Sequence, residues 1–150
     1  MKTRRINALC ATLAVVLAAS ACSLLNRSSP TATFKAFYEA SKKKDVAAMK
    51  KSLSKGSLDM FDKLAKAQNK TTDDMLKDID KDDKDKAEKM PETRNEKITG
   101  DSATLEVKND KTDKWDTLPF VKENGEWKIA FDKFLEDVMK GLGDKLKDMK

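Results

Sequence analysis

From Arg94 to Phe131 the apolar residues fall at every second position, and the run is interrupted by two-residue turn signals. Alternation of this kind reads as strands with one dry face and one wet face. Asn124-Gly125 is the strongest of the turn signals, because both residues accept the positive φ that a tight hairpin needs. A two-residue loop there joins Trp115–Glu123 to Glu126–Phe131 and pairs Phe120 with Ile129, Leu118 with Phe131 and Lys122 with Trp127. Gly100-Asp101 joins Arg94–Thr99 to Ser102–Lys108 in the same way. It pairs Ile98 with Ala103, Glu96 with Leu105 and Arg94 with Val107. In both hairpins the apolar residues gather on one side, which checks the register independently. Pro119 has no N–H for a ladder, so it predicts an edge strand or a bulge.

A sheet with one apolar face needs a cover, and the preceding segment reads as helices. Thr31–Lys44 places Phe34, Phe37, Tyr38 and Ser41 at helical spacing. Asp45 can cap a second helix bearing Val46, Met49 and Leu53. Gly56 then breaks the pattern, and Ser57 can cap a third helix with a stripe of Leu58, Phe61, Leu64 and Ala65. Thr71 or Thr72 can open a fourth helix carrying Met75, Leu76 and Ile79, inside a charged stretch over 71–92. Residues 133–150 read as a closing helix with Leu135, Val138, Leu142, Leu146 and Met149 in a stripe, weakened by Gly141 and Gly143. Packing of that stripe against the domain is expected. The class is therefore α+β: N-terminal helices on an antiparallel sheet of about four strands, then a C-terminal helix. One domain spans 31–150.

The first 21 residues have a different character. Lys2, Arg4 and Arg5 form a basic head, Leu9–Ala19 an apolar core, and small residues precede Cys22. That is a secretory leader, too short for a comfortable membrane span. Ala19-Ser20-Ala21-Cys22 resembles the lipobox of bacterial lipoproteins, with Ala19 where Leu is usual. The resemblance implies cleavage before Cys22, a lipid on its sulfur, and residues 22–30 as a lipidated tether. Acyl chains contribute about 0.8 kcal/mol per buried methylene, so several on one cysteine hold firmly. The implied location is the cell envelope, facing the periplasm from the outer membrane if the source has two membranes. Ser23 is not the aspartate associated with retention.

Loss of the leader removes three basic residues and no acidic one, so the precursor's net charge of +5 falls to +2. The basic balance is thus largely targeting signal, and nucleic acid is not an expected partner. The chain has no histidine, which excludes imidazole bases and His-dependent triads. Its cysteines are Cys10 and Cys22 only, at no metal-binding or redox spacing.

The phrases FKAFYEASKKKDVAAMKKSL, EKITGDSATLEV and LPFVKENGEWKI, in that order, resemble the nuclear transport factor 2-like superfamily. More narrowly, they resemble bacterial lipoproteins carrying a lumazine-binding-like domain of unknown function. The resemblance covers about Thr31 to Asp132. It implies a strongly curved sheet folded around helices into a cone, sometimes with a pocket inside. The catalytic sets of some members do not map onto this chain, so the resemblance lends a fold and no activity.

Residues 78–89, DIDKDDKDKAEK, raise the question of calcium. Counted from Asp78, the turn glycine of a calcium loop is replaced by Asp83 and the last ligand by Lys89. Lys81, Lys84 and Lys86 stand among the would-be ligands, so the run reads as a solvated connector and no metal is expected. Arg94 and Glu96 are the more informative charges. The unbroken register puts both on the apolar face, where an unpaired charge costs several kcal/mol. They read either as a polar clamp at a pocket mouth or as a salt bridge to a helix at the rim, and the salt bridge is preferred. Tyr38 and Trp115 complete the candidate pocket, although core packing or cross-strand cover explains aromatics at these spacings as well. No cofactor is implied. The expected function is non-catalytic binding or scaffolding, of an envelope protein or a small molecule. The alternative is a receptor or enzyme that uses the cone's interior.

Overall fold

The structure, a computed structural model, describes residues 29–79 and 89–148, with side chains as far as residue 141. The expected leader, Cys22 and most of the Asp/Lys run lie outside the described residues. The chain is α+β, with five helices and a four-stranded antiparallel sheet among the described residues. Helices α1 (Pro30–Lys42), α2 (Val46–Ser52), α3 (Lys55–Ala67) and α4 (Thr72–Asp78) come first. Strands β1 (Thr93–Thr99), β2 (Ser102–Asn109), β3 (Lys114–Glu123) and β4 (Glu126–Ile129) follow as a simple meander, and α5 (Phe131–Asp148) closes the chain.

Each helix start has a local cause. Ser29 accepts from Ala32 N and Pro30 occupies the first turn of α1, where its missing N–H costs nothing. Lys44 takes a positive φ of 54°, which ends α1 two residues before the expected limit and frees Asp45 to cap α2. Thr71 and Asp74 form a reciprocal capping box on α4.

The junction between α2 and α3 differs from the sequence expectation. The break falls at Leu53, which is extended and bridges Ile129 in parallel, and Ser54 is the cap. Gly56 lies inside α3 because Asp132 approaches it so closely that a Cβ would overlap the carboxylate. Ser57 does not cap. It is fully buried, accepts from Phe131 N at 2.7 Å and reaches Ile129 O and Asp132 Oδ1, both at 3.0 Å.

The Asn124-Gly125 hairpin has the expected register, with Phe120 opposite Ile129 and Lys122 opposite Trp127. Positive φ at both turn residues, 52° and 81°, gives the tight turn that suits strand twist. The third expected pair, Leu118 with Phe131, does not form, because β4 stops at Ile129 and Phe131 opens α5. Pro119 sits in neither an edge strand nor a bulge but inside β3, between β2 and β4, opposite Thr104. Its carbonyl accepts from Ala130 N, so its nitrogen points to the same side, where β4 has just ended. The Ala130 carbonyl that a ladder N–H would have sought accepts from Phe134 N in the first turn of α5.

Alternation sends Ala103, Leu105, Leu118, Phe120, Trp127 and Ile129 toward the helices. There they form the core with Phe37, Ala40, Met49, Leu53 and Leu76. Phe131 packs against Phe37 and Phe61, with ring centroids at 5.7 and 6.0 Å. Among the described residues no buried side-chain polar atom lacks a hydrogen-bond partner.

Candidate functional site

A bulge decides where the candidate residues go. From the Gly100-Asp101 turn the β1–β2 ladder runs as expected through Ile98–Ala103 and Lys97–Thr104. Asn95 and Glu96 then stand opposite Leu105 alone, and pairing resumes one step out of phase, with Arg94 opposite Glu106 and Thr93 opposite Val107. Asn95 absorbs the extra residue with a φ of 53°, a region that asparagine enters more readily than most side chains. The sequence pattern could not reveal this, because the expected pairings Glu96–Leu105 and Arg94–Val107 assume a strict period of two.

The bulge separates the two charges that were expected to share a face. Glu96 stays on the helix side and accepts from Thr31 N at 2.9 Å and Thr31 Oγ1 at 2.6 Å. It thus places a carboxylate at the N-terminus of α1, where the helix dipole favours negative charge. The salt bridge expected between strand and helix at the rim does not form: Glu96 accepts from neutral donors of Thr31 on α1, and Arg94 pairs with Glu106 on β2, because the bulge parts the two charges. Arg94 turns to the opposite face of the sheet, away from the core.

On that outer face Arg94 meets Trp115. The guanidinium carbon lies 3.9 Å from the centre of the indole, well inside the range of a cation–π contact. Arg94 Nε donates to Glu106 Oε2 at 2.6 Å, and Asn95 Nδ2 donates to the same oxygen at 3.0 Å. The Arg94 bond first, and the Asn95 bond second, hold the Glu106 carboxyl below its ordinary value. One donor of the five in the guanidinium fork is thereby committed. The register adds Lys97, Thr104, Lys108, Thr117, Pro119 and Val121 to this face, and none of them is buried. Helices α1–α4 and the start of α5 pack on the other side, so among the described residues no helix covers this face of the sheet.

Tyr38 does not join this group. It is half-buried on α1, and its hydroxyl donates to Lys89 O at 3.1 Å, holding the chain where it re-enters β1. The four candidates therefore divide: Arg94 and Trp115 come together on the outer face, Glu96 caps α1, and Tyr38 ties down Lys89. The interior, where the alternative reading put a pocket, is occupied among the described residues by the apolar core, with Met49, Leu105, Phe120 and Ile129 all at most 1% exposed.

A second polar cluster escaped sequence reasoning. Ser54, Ser57 and Asp132 are joined by bonds of 2.8 to 3.2 Å where α3, β4 and α5 meet. Two hydroxyl protons serve the Ile129 carbonyl and one carboxylate oxygen, while Ser57 N and Phe131 N donate to the hydroxyls. Both hydroxyls are engaged with backbone groups and the Asp132 carboxylate across the junction, so the cluster acts as a structural joint. The signal available in sequence was the spacing Ser54-x-x-Ser57, which could be read as a cap but not as a partner for Asp132, 75 residues away.

Among the described residues no group of three or more carboxylate, cysteine or histidine side chains could hold a metal, and no helix is long and apolar enough to cross a membrane. Comparison with protein-family models, curated proteins and solved structures finds no match to this chain.

Proposed function

We propose that this chain is a lipid-anchored protein of the bacterial cell envelope whose domain works by binding, without catalysis, through the outer face of its sheet. Cys22 carries the lipid, and the residues between it and Ser29, which caps α1, form the tether. One observation supports the choice of face: the sole arginine of the folded domain stacks on Trp115, on a surface that no helix covers among the described residues. A stacked guanidinium keeps its planar fork presented, at little further entropy cost, to a carboxylate or similar planar acceptor on an envelope partner. On the helix side, by contrast, the described side chains form an apolar core, and the Ser54, Ser57 and Asp132 cluster is engaged in joining elements. The resemblance to lumazine-binding-like lipoproteins agrees with this reading and supplies no reaction.

Two measurements test it. Growth with a radioactive fatty acid should label the wild-type chain and not Cys22→Ser; label retained in the variant would move the anchor elsewhere. Capture from a detergent extract of envelopes, using the full acylated chain, should yield partners that are lost with Arg94→Ala. An identical set of partners from Arg94→Ala and wild type would remove the outer face from the proposal.

A further inference from the structure

Apolar side chains stand exposed in more than one place. On α5, Leu135, Val138 and Met139 are clear of the domain, although their stripe reads as one that packs against it, and nothing beside them selects a partner. The outer face of the sheet differs, because its charges and its geometry both do. Trp115, Thr117, Pro119 and Val121 succeed one another along this face of β3, and none of them is buried. The ends of the strip, Trp115 and Val121, lie about 20 Å apart at the rise of a strand.

The carboxylates of this face are already engaged. Glu106 accepts from Arg94 and Asn95, Glu126 from Lys128, and Glu123 from Lys55 N. Of the cations, Lys108 is held by Asp113, and Lys128 by Glu126 and the Lys51 carbonyl. That leaves the remaining donors of Arg94, and Lys97, which forms no ion pair among the described residues. Both residues are exposed on β1, and Arg94 reaches across β2 to Trp115. A segment seated on the strip therefore meets uncompensated positive charge along one flank and needs carboxylates there.

We infer that the partner lays an acidic amphipathic helix along this strip, with two carboxylates one helical turn apart toward Arg94 and Lys97. The inference rests on the reading of the outer face as the binding surface. Backbone donors and acceptors of a sheet lie in its plane and point along the ladder to neighbouring strands. A segment on the face finds side chains alone, so an extended one would leave its own N–H and C=O groups unpaired where water is expelled. A helix closes those bonds within itself. The edge of β1, where an extended segment could pair, is disturbed by the bulge at Asn95. Spacing agrees with a helix as well. Arg94 stands opposite Glu106 and Lys97 opposite Thr104, so the two cations are about 7 Å apart along the strand. Four residues of helix rise about 6 Å, which brings acids at i and i+4 to both. About 13 helical residues span the strip.

The test uses the full acylated chain in detergent and a synthetic peptide locked as a helix, with a leucine stripe and two glutamates four residues apart on one flank. Titration followed by NMR should shift the indole N–H of Trp115 and the amides of Thr117 and Val121 to saturation, and leave the indole of Trp127 in place. Glutamine in place of both peptide glutamates should weaken binding about fivefold or more, and so should Lys97→Glu, with an unchanged melt. Absence of a saturable shift overturns the inference. So does equal binding by the glutamine peptide, or by a peptide of the same composition whose leucines alternate as in a strand. The same resonances shifting on addition of phosphatidylglycerol to the micelles, without peptide, would assign the face to lipid and overturn it too. If the peptide fails while capture of envelope partners still depends on Arg94, the helix is lost and the binding face stands. If capture does not depend on Arg94, the reading of the face falls and the inference with it.

Discussion

Arg94 and Glu96, two residues apart on one strand, face opposite sides of the sheet. The residue between them, Asn95, stands in the left-handed region and contributes the extra position of a bulge. One side chain stacks on Trp115 while the other caps α1, so the open face and the core face are tied together through a single backbone irregularity.

Asn95 should therefore resist replacement by a β-branched residue. Asn95→Val forces a branched side chain into positive φ, costing about 1–2 kcal/mol, and removes the donor to Glu106. Asn95→Gly keeps the conformation and loses only the side-chain bond. The expected order of melting temperature is wild type, then Asn95→Gly, then Asn95→Val. If valine were tolerated as well as glycine, the bulge would have to be placed elsewhere.

Glu96 should behave as a helix cap. Glu96→Ala is expected to lower stability by about 1 kcal/mol in urea denaturation, the usual size of a lost N-terminal cap. Glu96→Gln keeps an acceptor but not the charge, and should lose less. High salt should narrow the gap between glutamate and glutamine, because the dipole contribution is screened.

The contrast between the two hairpins shows what was legible in the sequence. Asn124-Gly125 fixes both its turn and its register, since two positive φ values and a two-residue loop leave one way to pair the strands. Gly100-Asp101 fixes the turn and the first pairs equally well, yet Asn95 shifts the rest by one residue, and asparagine in a strand is not signal enough to read a bulge. The α+β order and most core residues were legible from periodicity. The meeting of Arg94 with Trp115 was not, because it depends on the register beyond the bulge. The close approach of Gly56 to Asp132 was invisible for a simpler reason: it is a contact across the fold, and the glycine looked like a helix breaker.

The Glu106 carboxyl is held below its ordinary value chiefly by Arg94. A carboxyl depressed in the folded state contributes stability that is present above its unfolded value, near 4.5, and lost as pH falls through the folded one. In Arg94→Ala the Glu106 midpoint, followed by the carboxyl carbon shift in NMR, should rise toward the ordinary value. The part of the acid-dependent loss of stability that comes from Glu106 should then shrink relative to the wild type. The fluorescence of Trp115 should also change, since the cation leaves its face. An unmoved midpoint would separate Arg94 from Glu106 in solution.

Gly56 and Asp132 should be coupled. A Cβ on residue 56 would overlap the Asp132 carboxylate, whose Cγ lies only 2.8 Å from the ideal Cβ position. The carboxylate cannot retreat freely, because Ser54 and Ser57 both bond its Oδ1. Gly56→Ala should therefore destabilise by about 1–3 kcal/mol, as overpacking does, although alanine favours a helix more than glycine. Asp132→Ala alone should also destabilise, by leaving the Ser54 and Ser57 hydroxyls without their carboxylate. In the double variant the clash has no second party, and the helix preference of alanine acts unopposed. The two losses should therefore fall short of adding, by roughly 0.5–3 kcal/mol in a double-mutant cycle of denaturant midpoints. Strict additivity would mean that α3 and α5 accommodate the new methyl by moving apart, and that the serine–aspartate joint does not fix the origin of α5.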